Sequence, residues 1–80
     1  MSLRFLFFAQ AADWVQRRQL DVSIAGRRRI EDLLTEVPEL SPVAGHRKSL
    51  RVAVNREFST FQCEVQDGDE VAFIPPVSGG

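Results

Sequence analysis

Apolar and polar positions alternate along much of this chain, and the period changes where the structure should change. Residues 3–9, Leu-Arg-Phe-Leu-Phe-Phe-Ala, form an aromatic-rich run that predicts a strand. Leu3, Phe5 and Phe7 share one face; Leu6 and Phe8 share the other. One face should cover a core, and the other is either buried centrally or left open for a partner. Residues 19–24 alternate cleanly, with Leu20, Val22 and Ile24 inward, and predict a half-exposed strand that forms a hairpin with the first. The period then lengthens. Ile30, Leu33, Leu34 and Val37 fall at i, i+3, i+4 and i+7, which predicts an amphipathic helix over residues 28–37, ended by Pro38.

Alternation returns over residues 50–54, is turned by Asn55-Arg56-Glu57, and continues weakly through Phe61 and Val65. The Asp67-Gly68-Asp69 cluster reads as turn chemistry, too short for a calcium loop. Residues 71–74 then predict a last strand. Two stretches read as loops: residues 10–15, with Trp14 as a satellite anchor, and residues 39–49, which contain Pro42, Gly45, His46 and Lys48. The order is strand, strand, helix, strand, short strand, strand. It predicts an α+β domain, a mixed sheet with one main helix packed on one face, for which the β-grasp (ubiquitin-like) fold is the natural candidate.

Composition narrows the function. Eighty residues make one small domain, whose modest core leaves room for stabilisation by a partner. Ten basic and eleven acidic residues leave a net charge of −1, without the basic excess that nucleic-acid binding requires. No apolar run is long enough to span a membrane. The single cysteine, Cys63, excludes an internal disulfide and points to a reducing compartment, the cytoplasm. Cys63 has no CxxC partner and reads as structural. His46 has no companion ligand and reads as a surface histidine, so no metal site is expected. Arg27-Arg28-Arg29 reads as a solvated cluster, or as a contact patch for an acidic partner or a phosphate. No catalytic constellation is visible.

The chemistry is concentrated at the end. After the apolar run 71–74, Pro75 and Pro76 fix φ and favour an extended exit, and Gly79 and Gly80 have no Cβ, so backbone can enter a narrow slot. From Pro76 the remaining residues span about 14 Å when extended. Such a tip presents the carboxylate of Gly80, unreactive until it is activated, for instance as an acyl-adenylate. Residues 1–76 are therefore expected to form the domain and residues 77–80 an extended, flexible tail.

The run Asp67-Gly68-Asp69-Glu70-Val71-Ala72-Phe73-Ile74-Pro75-Pro76-Val77-Ser78-Gly79-Gly80 resembles the C-terminus of the MoaD family of ubiquitin-like sulfur carriers, the small subunits of molybdopterin synthase. Phe7-Phe8-Ala9-Gln10 resembles the end of that family's first strand, and residues 54–58 its central hairpin. Ala12-Asp13-Trp14-Val15 departs from the Arg-Glu pair and Gly common there.

The resemblance implies that the first and last strands pair in parallel at the centre of the sheet. It implies a Gly80 carboxylate adenylated by an ATP-dependent activating enzyme, then converted to a thiocarboxylate by a sulfur donor protein. The tail, Val77, Ser78, Gly79 and Gly80, would enter the large subunit of molybdopterin synthase and deliver sulfur to cyclic pyranopterin monophosphate. Catalytic residues would lie in that large subunit, in an assembly of two small and two large subunits. No cofactor is bound by the carrier; ATP is used by the activating enzyme. Phe8, Phe58 and Ile74, with Pro75 and Pro76, occupy positions of the family's partner-binding surface. Three other readings stand beside this one: a sulfur carrier for thiamine or cysteine synthesis, a ubiquitin-like protein modifier, and an interaction domain whose Gly-Gly ending is incidental.

Overall fold

A computed structural model describes residues 1–76 of the chain. The expected tail, residues 77–80, lies outside the described residues. Five strands form one mixed sheet in the order β2-β1-β7-β4-β5. They are β1 (Leu3–Phe7), β2 (Gln19–Val22), β4 (Arg51–Val54), β5 (Glu57–Ser59) and β7 (Glu70–Ile74). β1 and β7 run parallel, with Phe5 opposite Val71 and Phe7 opposite Phe73. The remaining pairs in this sheet are antiparallel.

Alternation places Leu3, Phe5, Phe7, Leu20, Val52, Val71 and Phe73 on one face, all buried. Phe73 stacks on Phe5 and Phe7 at centroid distances of 5.8 and 5.7 Å. Helix α2 (Ile30–Glu36) lays Ile30, Leu33 and Leu34 on this face. This is the expected α+β, β-grasp arrangement.

The structure corrects the sequence reading in four places. Residues 10–15, expected as a loop, form a short helix, α1 (Gln10–Val15). It starts at Ala9, whose φ of 49° and ψ of −128° are strained for a residue with a Cβ. Buried Ala11 and half-buried Trp14 tie it to the core. β1 and β2 are antiparallel as expected, but α1 lies within their connection.

The main helix begins at Ile30, not residue 28, because Arg28 and Arg29 pair with Val65 and Glu64 as a two-stranded sheet, β3 (Arg28–Arg29) and β6 (Glu64–Val65). That pairing also supplies the missing cap. The Ile30 and Glu31 N–H groups donate to the carbonyls of Cys63 (3.1 Å) and Phe61 (2.9 Å), satisfying amides that a helix start leaves orphaned.

Residues 39–49 are not a plain loop. Pro38–Leu40 and Arg47–Ser49 are 3-10 turns flanking a third helix, α3 (Ser41–Gly45), which buries Val43. Pro42 sits in the first turn, where its missing N–H costs no helical bond.

The arginine cluster is largely paired within the chain. Arg28 meets Glu36, and Arg29 lies 3.8 Å from Glu31, which also accepts from Arg47 at 2.8 Å.

The turn at residues 67–69 behaves as expected. The Asp69 carboxylate accepts from the Gln66 N–H (3.0 Å) and from Asn55 Nδ2 (3.1 Å). Asp67 accepts from the Ile24 N–H at 3.0 Å. Gly68 takes φ +98°, and a Cβ there would lie 2.9 Å from Met1 Cε.

Candidate functional site

The helices cover one face of the sheet, and the other face carries the candidate site. Registry aligns Leu6, Ala72, Ala53 and Phe58 across four strands. The two alanines are small enough to leave a hollow between the larger side chains at either end. The result is a depression of about 370 Å³ whose floor is Ala53 and Ala72 and whose walls include Leu6, Phe8, Phe58 and Ile74. Phe58 is 70% exposed and Phe8 48% exposed, whereas Phe5, Phe7 and Phe73 are buried in the core.

Phe8 is placed by the sheet itself. Its N–H donates to the Phe73 carbonyl at 3.2 Å, one step beyond the end of β1. Ile74, opposite Arg51 in the β4–β7 ladder, is half-buried at the end of β7. Pro75 follows and is buried in its own chain, so it fixes the root of the tail rather than offering contact surface; Pro76 is exposed. Three of the residues singled out from sequence, Phe8, Phe58 and Ile74, thus surround one depression beside that root. Val77, Ser78, Gly79 and Gly80 lie outside the described residues.

Two cations stand at the phenylalanine end. The Arg51 guanidinium lies 5.9 Å from the Phe58 ring centroid, within cation–π range. Arg56 lines the depression from the β4–β5 turn. That turn has two residues, Asn55 (φ 51°) and Arg56 (φ 72°), both left-handed, as a type I′ hairpin requires. Glu70 lines the same depression between Arg4, its neighbour in the β1–β7 ladder, and Asn55, whose side-chain oxygen accepts from the Glu70 N–H at 3.0 Å.

Sequence reading placed Leu6 with Phe8 on this face but missed Ala53, Ala72, Arg51 and Arg56 as members of it. A signal existed for the alanines: they fall out of phase with the buried residues Val52, Val71 and Phe73. Another existed at Asn55-Arg56, where an arginine occupies a position that favours glycine.

The remaining singled-out groups lie elsewhere. His46 stacks on Trp14 with centroids 3.8 Å apart, on the helical side. Cys63 is half-buried beside β6.

A doubly apolar central strand, an open face with a shallow apolar hollow and a pair of prolines after the last strand together describe a β-grasp domain with one uncovered apolar face. The model of the ThiS family matches residues 5–80. The chain belongs to the ThiS family. Among relatives of this ThiS-family chain is the molybdopterin synthase sulfur carrier subunit of Haemophilus influenzae, 34% identical, with 98% of this chain and 99% of that protein aligned. Among solved structures, SAMP1 from Haloferax volcanii superposes with a TM-score of 0.83 at 26% identity, covering all of both chains. A Helicobacter pylori structure described as a complex of subunits 1 and 2 of molybdopterin-converting factor gives a TM-score of 0.67 at 18% identity, again covering all of both chains. At that identity it speaks to the fold alone.

Among the described residues, no helix is long and apolar enough to cross a membrane.

Proposed function

We propose that this chain is the sulfur carrier subunit of a molybdopterin synthase. One observation carries the reading: central strand β7 runs through Ile74 and buried Pro75 to an exit beside the open apolar face. A tail leaving there, and a partner seated on that face, engage the same protein at once. The relatives of the same name support the assignment.

The chemistry then follows from the carboxylate of Gly80. Attack of that carboxylate on the α-phosphorus of ATP in an adenylating enzyme gives the acyl-adenylate and releases pyrophosphate. The terminal sulfur of a persulfide on the sulfur donor displaces AMP to give an acyl disulfide, and a second thiol attacks the donor's sulfur, releasing the thiocarboxylate and leaving a disulfide on the donor side. In the large subunit the thiocarboxylate sulfur attacks an oxygen-bearing side-chain carbon of cyclic pyranopterin monophosphate, forming a C–S bond as the C–O bond at that carbon breaks and the oxygen leaves. Hydrolysis of the resulting acyl–sulfur bond leaves sulfur on the pterin and restores the Gly80 carboxylate. A dithiolene holds two sulfurs, so two charged carriers discharge for each product. The acid–base groups for these steps belong to the large subunit, and the cytoplasm supplies the reducing surroundings that a thiocarboxylate needs.

The test is intact mass spectrometry after incubation with ATP, the adenylating enzyme and a sulfur donor. The expected gain is one oxygen replaced by sulfur at Gly80, lost again when the large subunit and the pterin precursor are added. A charged carrier that does not discharge there assigns it to another sulfur pathway, such as thiamine or cysteine synthesis. The likeness to SAMP1, a small archaeal modifier protein, favours one second reading, protein modification. Gly80 joined to lysines of unrelated proteins would identify it.

A further inference from the structure

Arg56 occupies a position that its backbone does not favour. At φ 72°, in the second place of a two-residue hairpin turn, a glycine sits without strain and a side chain with a Cβ does not. The arginine side chain has no compensating ion pair among the described residues. The salt bridges found there join Arg4, Arg28, Arg29 and Arg47 to carboxylates, and neither Arg51 nor Arg56 takes part. Arg56 instead lines the apolar depression, next to Phe58, while Arg51 covers the same ring. Strain retained at a turn whose side chain reaches a surface hollow points to a role for that side chain outside the fold.

The charge on this face is uneven. Toward the centre of the sheet, Glu70 lines the hollow between Arg4 of β1 and the Asn55-Arg56 turn, and Arg4 binds Asp21 at 3.3 Å, so both signs are present there. At the β4–β5 end, Arg51 and Arg56 flank Phe58. Glu57, the acidic neighbour of Phe58 in β5, points to the opposite face by strand alternation.

We infer that Arg56, together with Arg51, makes this face selective for a protein partner whose docking strip is apolar at its centre and carries carboxylates at one end. The apolar centre fills the hollow over Ala53 and Ala72. The carboxylates pair with Arg56 and Arg51 beside Phe58, where exclusion of water by the ring strengthens charge-assisted hydrogen bonds. A neutral apolar strip would leave both guanidinium groups desolvated without partners, and a basic strip would be repelled. Arg56 is thus a specificity residue for the docking step, and the inference rests on the carrier reading, with the large subunit as the partner.

The test uses the full chain and its own molybdopterin synthase large subunit in titration calorimetry, at low and high salt. Arg56→Gly removes the side chain while relieving the backbone, so its melting temperature should equal or exceed that of the unaltered chain. Its affinity should nevertheless fall about tenfold, with a shallower salt dependence. Arg56→Lys keeps a cation on a strained backbone and should recover part of the loss. Unchanged affinity and salt dependence in Arg56→Gly would overturn the inference while leaving the carrier reading intact. Failure of the unaltered chain to bind the large subunit would overturn both. A dimer of the isolated chain that dissociates in Phe58→Asp would overturn it in favour of a second copy as occupant.

Discussion

Ala53 and Ala72 stand opposite one another in the β4–β7 ladder, and their missing side-chain volume creates the hollow on the open face. The face ordinarily expected to be polar in a half-covered sheet is here small and apolar. Replacing Ala72 with leucine should fill the hollow from below. The added atoms project away from the helices, so the domain should keep its stability to within about 1 kcal/mol. Binding to the large subunit should weaken roughly 10- to 100-fold, the range of a blocked central pocket. Calorimetry alongside a thermal melt separates the two effects. Tight binding by a folded Ala72→Leu chain would show that no partner enters the hollow.

The stacked trio of Phe5, Phe7 and Phe73 holds the two central strands to the helices. Phe73 is fully buried, with neighbouring rings 5.8 and 5.7 Å away. Truncation to alanine should cost about 3–5 kcal/mol, a large share of what a domain this small possesses. Urea unfolding is the measurement. A loss below about 1 kcal/mol would mean that the neighbouring side chains close the gap.

Glu31 is the hub of the polar contacts at the start of α2. It accepts from Arg47 at 2.8 Å and lies 3.8 Å from Arg29, with its side chain 24% exposed against 41% for Arg47. Partial exposure limits the pair to about 0.5–1 kcal/mol. A double-mutant cycle of Glu31→Gln and Arg47→Gln should return a coupling of that size, declining at molar salt. A coupling indistinguishable from zero at low salt would assign Arg47 to its contact with the Phe61 ring, 5.2 Å away, instead.

Deleting Gly80 should abolish sulfur transfer and leave unfolding unchanged. The buried hydrophobic residues of the described core run from Leu3 to Phe73, and this deletion removes none of them. Circular dichroism melts and the thiocarboxylate mass assay check the two halves separately. Full transfer by the shortened chain would remove Gly80 from the mechanism.

The elements legible in the sequence were those with enough repeats of a period to count. Leu20 and Val22, the row from Leu3 to Phe7, and Ile30 with Leu33 and Leu34 each declared strand or helix through spacing alone. Helix α1 was not legible, because six residues offer less than two turns and no side chain caps its start. It exists because Ala11 and Trp14 find the core, a tertiary cause. Pro42 and Gly45 disguised α3 for a related reason: both are loop-formers in general and tolerable at the ends of a five-residue helix. The two-residue strands β3 and β6 carry no pattern at all and arise from where the chain is brought by its neighbours. On the open face, phenylalanines announced themselves by size, whereas Ala53 and Ala72 matter through what they lack and gain meaning only in registry.

The parallel pairing of β1 with β7 joins the opening of the sequence to its end. During synthesis, β1 therefore has no central neighbour until the last strand has left the ribosome. Every earlier length of chain lacks both the finished sheet and the direction in which its terminus departs. A partner that recognises the assembled face therefore meets only chains in which β7 has already paired with β1, so the topology couples recognition of that face to a finished sheet.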